Sequence, residues 1–316
     1  MADKAILYDS SKCTACKGCQ VACKCWNELP SPTGLNENVF SGSYQNPPDL
    51  NGITRMIITM SEHDAPEGST KPVLWAFDRR SCKHCTDAGC VRVCPAGALS
   101  HDEATGFVRL ERSKCIGCQY CSSACPFDVP RYEEGGPLNQ RTTVEKCTAC
   151  LDRVEQGMTP ACVSTCQPNA LRFGDRDEMI AIAHERVEYL KGRGFEDACV
   201  YGETEMGGLH VISVLKYGVE KHGEVAEPRM SPTVGMNEVM KPLTAVGAGL
   251  TVAGLAAMFA LGVGYKRRTL AYNPETADTI DVDTGEVVKH GDGQDEMSVK
   301  EHILENLPIG KGGSHE

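Results

Sequence analysis

The sequence lacks the features that mark most enzymes and nucleic-acid-binding proteins. It has no basic surplus, because 32 Lys and Arg stand against 43 Asp and Glu and the formal net charge is -11. That balance argues against nucleic acid as a partner. The chain also has no H-E-x-x-H motif, no Gly-rich phosphate loop between a strand and a helix, and no Ser/His/Asp pattern. We therefore assign no catalytic residue.

Membrane and export signals are also sparse. The mean hydropathy of -0.29 excludes a protein with several membrane spans. Residues 1–9 lack the basic region and apolar core of a secretory signal, and they contain no twin arginine. We therefore expect the chain to carry no export signal of its own.

Cysteine is the residue that the sequence has in excess. Sixteen of the 18 cysteines fall into four groups of four, which is an internal repeat, and only Cys25 and Cys199 are left over. In chain order the groups are Cys13, Cys16, Cys19 and Cys23; Cys82, Cys85, Cys90 and Cys94; Cys115, Cys118, Cys121 and Cys125; and Cys147, Cys150, Cys162 and Cys166. So many cysteines indicate disulfides, zinc or iron–sulfur clusters, and their spacing must decide.

The spacing favours 4Fe–4S clusters. Group three reads C-x-x-C-x-x-C-x-x-x-C-P, which is typical of bacterial ferredoxins, and the other groups are variants that keep the trailing C-x-x-x-C. Zinc sites normally pair two C-x-x-C units and need no trailing cysteine. A disulfide framework is disfavoured by the missing signal and by cysteines too close in sequence to pair with one another. We predict four 4Fe–4S clusters, which transfer single electrons.

The ligands are predicted to be exchanged between groups. In a two-cluster ferredoxin, the last cysteine of one motif completes the cluster of the other motif. Groups two and three are neighbours in sequence, so groups one and four are left to pair across the chain. The four predicted sites are site A (Cys13, Cys16, Cys19, Cys166), site B (Cys147, Cys150, Cys162, Cys23), site C (Cys82, Cys85, Cys90, Cys125) and site D (Cys115, Cys118, Cys121, Cys94).

This pairing predicts an α+β fold in which one ferredoxin-like domain is inserted into another. The predicted segments are an outer domain at 1–30 and 140–215, an insert at 31–78, an inner domain at 79–139, a linker at 216–241, a transmembrane helix at 243–265 and an acidic tail at 266–316. Apolar runs predict strands at 56–60, 73–77, 107–110, 171–173 and 209–215. Asp175, with Glu178 three residues later, predicts a capping box that opens a helix ending at Gly192 and Gly194.

Residues 243–265 contain no charge. A helix of this length would extend about 34 Å, enough to cross a hydrocarbon core of about 30 Å. The alternative is a buried core helix, which is rarely so long without a polar face. Small residues recur at every fourth position, which allows another helix to approach closely and suggests a larger membrane partner: Ala245, Gly249, Ala253 and Ala257. The tail that follows is expected to be a solvated, flexible end.

Some residues near the motifs are predicted to have only structural roles. Cys25 and Cys199 are expected to be buried thiols, and His84 is not expected to replace a better-spaced cysteine as ligand. Positive charge near a cluster would raise its potential, but lysines beside the cysteines, such as Lys83 and Lys146, are expected to be exposed.

The cysteine motifs and the residues around them resemble the iron–sulfur (beta) subunit of respiratory, membrane-bound formate dehydrogenase. The resemblance extends from about residue 5 to residue 265. It is carried by residues 13–28 (CTACKGCQVACKCWNE), 82–99 (CKHCTDAGCVRVCPAGAL), 115–132 (CIGCQYCSSACPFDVPRY), 146–174 (KCTACLDRVEQGMTPACVSTCQPNALRFG) and 207–215 (GGLHVISVL), and by the apolar span that follows Lys241 and Pro242.

The resemblance implies a non-catalytic subunit that carries electrons from a catalytic molybdenum or tungsten pterin subunit to a membrane cytochrome b or quinone-reactive subunit. It also implies a single-pass protein of the cytoplasmic membrane, with the cluster domain on the outer side and the tail in the cytoplasm. The same relay in a hydrogenase, or in a sulfur-compound or dimethyl-sulfoxide reductase complex, is the alternative. The identity of the catalytic partner separates these possibilities.

Overall fold

The computed structural model describes residues 3–31, 42–65, 72–133, 142–263 and 268–291. Parts of the predicted insert, including Pro32 and Gly34, and most of the acidic tail lie outside the described residues. The chain divides into two compact units, Met1–Leu243 and Thr244–Glu316.

Helices and strands alternate along the described residues. The strands are β1 (Lys4–Asp9), β2 (Met56–Asp64), β3 (Val73–Ser81), β4 (Leu99–His101), β5 (Val108–Leu110), β6 (Arg131–Glu133), β7 (Thr143–Glu145), β8 (Leu171–Asp175), β9 (Cys199–Tyr201), β10 (Val211–Leu215), β11 (Leu270–Tyr272), β12 (Thr279–Asp281) and β13 (Val287–Lys289). The α-helices are α1 (Gly18–Trp26), α2 (Gly89–Arg92), α3 (Tyr120–Ala124), α4 (Leu151–Val154), α5 (Ala161–Ser164), α6 (Arg176–Lys191), α7 (Gly218–Lys221) and α8 (Pro232–Gly262). Each of the five strands predicted from apolar runs is present.

A four-stranded sheet in the order β8-β1-β10-β9 organises the first unit. Strand β1 is central, because it pairs antiparallel with β8 and parallel with β10. It precedes the first cysteine group, whereas β8 follows the fourth. Their pairing therefore brings together the two ends of a segment of more than 160 residues.

The two faces of this sheet bury different partners, since side chains alternate along a strand. Ala5 and Leu7 face α6, where the described contacts include Met179 and Leu190. Ile6 and Tyr8 face the opposite way and pack in a core with Met56, Ile58, Cys19 and Cys23. The sheet thus supports the first cysteine group on one face and is covered by a helix on the other.

Helix α6 begins where the capping box predicted it, but the capping bond is absent. Asp175 has the extended backbone of an N-cap and makes no side-chain bond to the helix amides. Its carboxylate instead accepts a hydrogen bond from Lys4 Nζ at 2.6 Å, across the β1–β8 pair. The Asp175 carboxylate therefore forms an ion pair with Lys4, whereas the sequence pattern predicts that it caps α6.

Residues between the outer segments of the first unit form antiparallel hairpins. Strands β2 and β3 make a ribbon of nine paired residues on each side, from Met56 opposite Ser81 to Asp64 opposite Val73. The shorter hairpins β4–β5 and β6–β7 lie before and after the third cysteine group. The 4Fe–4S ferredoxin-type region is thus a mixed helix and strand structure.

The predicted linker at 216–241 is wrong in its second half. Helix α8 begins at Pro232, a residue well suited to the first turn of a helix. Val234 is 1% exposed and packs on Val93 and Ala124 of the inner segment. Arg92 also forms an ion pair with Glu238 at 2.6 Å. The polar composition of residues 216–241 gives no indication that Val234 is buried. The contacts of Val234 hold the start of α8 against the inner segment.

Helix α8 continues through Pro242 to Gly262 and is long and apolar enough to cross a membrane. Its large apolar side chains, such as Leu250 and Phe259, are exposed. The tail differs from its prediction where it is described, because β11, β12 and β13 form an antiparallel sheet. Turn residues between short β-branched runs (Thr279–Asp281 and Val287–Lys289) allow this, despite the acidic composition.

We expect Ile212→Ala to lower the free energy of unfolding by about 2–5 kcal/mol, because Ile212 is fully buried between the sheet and α6. Thermal unfolding of the cluster-loaded protein would measure the loss. Leu270→Ala removes a similar volume from a side chain that is 52% exposed and is expected to have little effect. Equal losses in both variants would contradict this description of the core.

Candidate cluster-binding sites

The four cysteine groups share one backbone feature that the sequence does not reveal. The second residue after the first cysteine of each group has a positive φ: Ala15 (52°), His84 (49°), Gly117 (72°) and Ala149 (53°). Only one of these residues is a glycine, and the left-handed region costs other residues roughly 1 kcal/mol or more. The same strained turn at four equivalent positions indicates four equivalent binding loops.

Backbone amides of these loops, and of residues packed beside them, are directed at cysteine sulfur atoms. The N–H donors and their acceptors are Ala15 to Cys13 Sγ (3.4 Å), Ala98 to Cys94 Sγ (3.2 Å), Val144 to Cys115 Sγ (3.5 Å), Ala149 to Cys147 Sγ (3.4 Å) and Leu171 to Cys166 Sγ (3.3 Å). Hydrogen bonds to sulfur stabilise the thiolate and are among the factors that set cluster potentials.

The cysteines of site A line one cavity. Three of them come from the first cysteine group, and Cys166 comes from the fourth, about 150 residues later in the chain. Tyr8 of β1 and Leu171 of β8 also line this cavity, so the pairing of β1 with β8 holds its two halves together.

The cysteines of site B line a second cavity, with Cys23 contributed by α1 and the others by the fourth group. All four are buried. The contacts between α1 and α5 bring Cys23 to Cys162. Cys166 of the fourth group thus lies with the first group in the cavity of site A, and Cys23 of the first group lies with the fourth group in the cavity of site B.

The cysteines of site D line a third cavity. Cys94 of the second group joins the first three cysteines of the third group there. The sulfur of Cys121 lies 3.2 Å from the hydroxyl of Tyr132, which lines the same cavity.

Three of the four cysteines of site C share one buried apolar cluster. Cys82, Cys85 and Cys125 pack in one apolar cluster with Leu209 and Tyr201. Burial raises the pKa of the Cys85 thiol, and the nearby thiols of Cys82, Cys125 and Cys90 raise it further. These three neighbours are the partners that the exchange of last cysteines predicted.

Three of the thiols in these sites have clearly raised pKa values. Burial is the main cause, and neighbouring cysteines contribute, so that the pKa is about 12 for Cys19 and Cys150 and about 11 for Cys125. Such crowded sulfur atoms become thiolates only when a cation binds among them, and metal binding releases their protons.

The geometry fits a cluster and not a single ion. Within the described ranges, no three His, Cys, Asp or Glu side chains are arranged to hold one metal ion. The cysteine sulfur atoms of sites A, B and D instead lie in sets of four, and each set lines one cavity. All 18 cysteines lie in the described residues, and none of them is joined in a disulfide there. Four thiolates around each such cavity are the donor set of a 4Fe–4S cubane.

The four sites form a linear series. The pKa of Cys19 in site A is influenced by Cys162 in site B, that of Cys82 in site C by Cys147 in site B, and that of Cys90 in site C by Cys121 in site D. Because electrostatic influence falls with distance, these pairs indicate that site A lies near site B, site B near site C, and site C near site D.

Only the ends of this series reach the surface through a cysteine. Cys16 of site A and Cys118 of site D are exposed, whereas the cysteines of sites B and C are buried or half-buried. Exposed apolar side chains lie within a few residues of each exposed cysteine in the sequence: Val21 (58%) after Cys16, and Ile116 (57%) and Tyr120 (55%) on either side of Cys118.

Two lysines beside the motifs are buried, contrary to the sequence prediction. Lys146 is 2% exposed, and its ammonium donates to the carbonyls of Val108 and Cys147 at 2.6 and 3.0 Å. Lys83 is 3% exposed and pairs with Glu224. Burial raises the pKa of Glu224 to about 7, although the charge of Lys83 opposes the shift.

The two leftover cysteines differ from each other. Cys199 lies half-buried in β9, but Cys25 is exposed, so the prediction of a buried thiol is wrong there. In α1, Cys19 and Cys23 are four residues apart and share the buried face, whereas Cys25 points away from it. His84 is fully buried, and its Nδ1 accepts a hydrogen bond from the Val108 amide at 3.0 Å.

Gly117→Ala is expected to remove the cluster of site D, which is about a quarter of the iron. A Cβ at Gly117 would lie 2.5 Å from the carbonyl oxygen of Thr142, in addition to the strain of a φ of +72°. Gly157→Ala is the matched control, because Gly157 has a φ of +75° but open space around it. Iron analysis and EPR of the reduced protein would compare the two. Full occupancy in Gly117→Ala would contradict the loop geometry.

Comparisons with known proteins agree with this geometry. A family model described as a 4Fe-4S dicluster domain matches residues 73–176. The nitrate-inducible formate dehydrogenase iron-sulfur subunit of Escherichia coli K12 is 37% identical over 83% of this chain and 86% of its own length. The formate dehydrogenase-O iron-sulfur subunit of the same organism is 39% identical over 83% and 84%. The more distant hydrogenase-2 operon protein HybA of Escherichia coli O157:H7 is 31% identical over 69% and 65%.

Proposed function

The chain belongs to the family of formate dehydrogenase iron–sulfur subunits, as its motifs predicted, and we propose that it relays electrons through four 4Fe–4S clusters. The observation that carries the proposal is the set of three cavities, each lined by four cysteines that come from two different groups. A bound 4Fe–4S cluster accepts and releases one electron. The chain contributes the sulfur ligands, their amide donors and the spacing between sites.

The proposed ligands are those predicted from the spacing. Site A uses Cys13, Cys16, Cys19 and Cys166; site B uses Cys147, Cys150, Cys162 and Cys23; site C uses Cys82, Cys85, Cys90 and Cys125; and site D uses Cys115, Cys118, Cys121 and Cys94. The cavity linings support sites A, B and D, and the mutual pKa effects of the thiols support site C. The exchanged cysteines support a nested arrangement, with residues 79–139 inserted between the outer segments 1–30 and 140–215.

The proposed direction of transfer is from site A to site D. The start of α8 packs on Val93 and Ala124, each adjacent to a cysteine of the inner segment. Of the two terminal sites, site D is therefore the one beside the start of α8. We assign site A to a catalytic molybdenum or tungsten subunit, and site D to a membrane cytochrome b or quinone-reactive subunit.

Helix α8 is proposed to anchor the chain in the cytoplasmic membrane by a single pass. Its length and composition support a span. Three basic residues, Lys266, Arg267 and Arg268, follow the apolar segment, and Arg229 and Lys241 precede it. The slight excess after the segment favours a cytoplasmic tail and a cluster domain on the outer side.

Anaerobic purification from membranes, with identification of the accompanying large subunit, tests the function as a whole. We expect a molybdenum or tungsten protein, formate-dependent reduction of the clusters and about sixteen irons in this chain. A nickel–iron large subunit would contradict the formate assignment and favour the hydrogenase alternative. Far less iron would contradict the four-cluster relay.

Exchange of ligands between groups predicts that Cys166→Ser and Cys13→Ser affect the same cluster. Both sulfur atoms belong to the cavity of site A although they are far apart in sequence. EPR of the reduced variants should show loss or alteration of one common signal. Cys23→Ser is the control, since it should alter the signal of site B. Loss of different signals in the first two variants would contradict the proposed pairing.

Truncation after Leu243 is expected to release the cluster-bearing part from membranes, because it removes most of the apolar part of α8. The chain would be produced without the other subunits, and its distribution between washed membranes and the soluble fraction would be measured. Removal of residues 269–316 alone is the control and should leave the chain in the membrane. A truncated chain that stays in membranes after high-salt washing would contradict the anchor.

A further inference from the structure

Arg79 carries a buried charge between sites A and B. It lies in β3, is 1% exposed and lines the cavity of site B. Its Nη2 is 4.0 Å from the sulfur of Cys162, and its charge also lowers the pKa of Cys19 in site A. One guanidinium thus acts electrostatically on both sites.

The guanidinium of Arg79 has no carboxylate within ion-pairing distance among the residues that the structure describes. Its Nη1 donates to Ser81 Oγ, and its Nε has no hydrogen-bond partner. The other buried arginine nearby, Arg55, pairs with Glu145 at 2.9 Å. Arg79 therefore lacks the usual compensation of a buried cation, which otherwise costs several kcal/mol.

The groups that can compensate Arg79 are sulfur ligands. Burial opposes its charge, yet the thiols of Cys162, Cys147 and Cys19 hold the pKa of Arg79 above its usual value. These cysteines belong to sites A and B. A cluster bound by four thiolates is anionic and becomes more so when it gains an electron, so a cation beside it favours the reduced form.

We propose that Arg79 is a positioning residue for electron transfer, a cation shared by sites A and B that stabilises the reduced clusters of both and raises their potentials together. The inference rests on the proposed function, because it assumes clusters at both sites. The step transfers one electron from the reduced cluster of site A to the oxidised cluster of site B. A shared cation keeps the two potentials close and weakens the repulsion between two reduced neighbours.

The test is an EPR-monitored redox titration of the purified complex that carries Arg79→Met. At a fixed applied potential, the ratio of reduced to oxidised cluster at sites A and B should fall at least tenfold, which is about 59 mV for one electron. The signals of these sites are identified by their loss in Cys13→Ser and Cys23→Ser. Site D should be unchanged. Full cluster content with ratios at both sites within twofold of the unmodified protein would overturn the proposal.

Two further variants separate charge from packing. Arg79→Lys keeps the charge and should retain most of the potential of both sites. Lys114→Met removes a cation that is 53% exposed beside Cys115 and pairs with Glu111 at 2.8 Å, so solvent screening should limit its effect on site D to less than twofold.

If Arg79→Met fails to retain iron at sites A and B, Arg79→Lys distinguishes the need for a cation from a role in packing. Retention of both clusters in the lysine variant would support the need for a cation, and their loss in both variants would overturn it in favour of a role in packing. Unmodified complex with far fewer than about sixteen irons would instead contradict the proposed function.

Discussion

A thiolate loses favourable hydration when it is buried, and this chain buries four sets of thiols next to one another. Burial and mutual repulsion raise the pKa values of Cys19, Cys125 and Cys150. The sites are therefore completed only by bound iron, whose positive charge compensates the sulfur ligands. The amide donors, the strained turns and the buried cations of the first unit all contribute to the binding of iron among these sulfur ligands.

Electron transfer adds a second requirement, because adjacent clusters must be close while partner proteins must reach the ends. The proposed exchange of last cysteines meets the first condition, since a short helix such as α1 would then connect two neighbouring sites. Exposure of Cys16 and Cys118 at the two ends meets the second condition. The pairing of β1 with β8 closes the outer segments around the inner one.

Some features could be predicted from sequence because they depend on local chemistry. The trailing C-x-x-x-C of each group, the apolar runs of β2, β3 and β10, and the long apolar helix are of this kind. Errors arose where a distant residue changed a local outcome. The Asp175 carboxylate pairs with Lys4 and does not cap α6. Val234 packs against the inner segment, although the residues around it have the composition of a linker. Cys25 is exposed because Cys19 and Cys23 occupy the buried face of α1 and Cys25 does not lie on that face.

The sequence by itself determined the number of cysteine groups, the type of cofactor and the family, because cluster ligation depends on spacing along the chain. Only the tertiary structure decided the order of the four sites, which cysteines are exposed, and where the buried charges of Arg79 and Lys146 lie. These properties depend on distances between residues far apart in sequence. Such distances are set only when the strands pair and the helices pack.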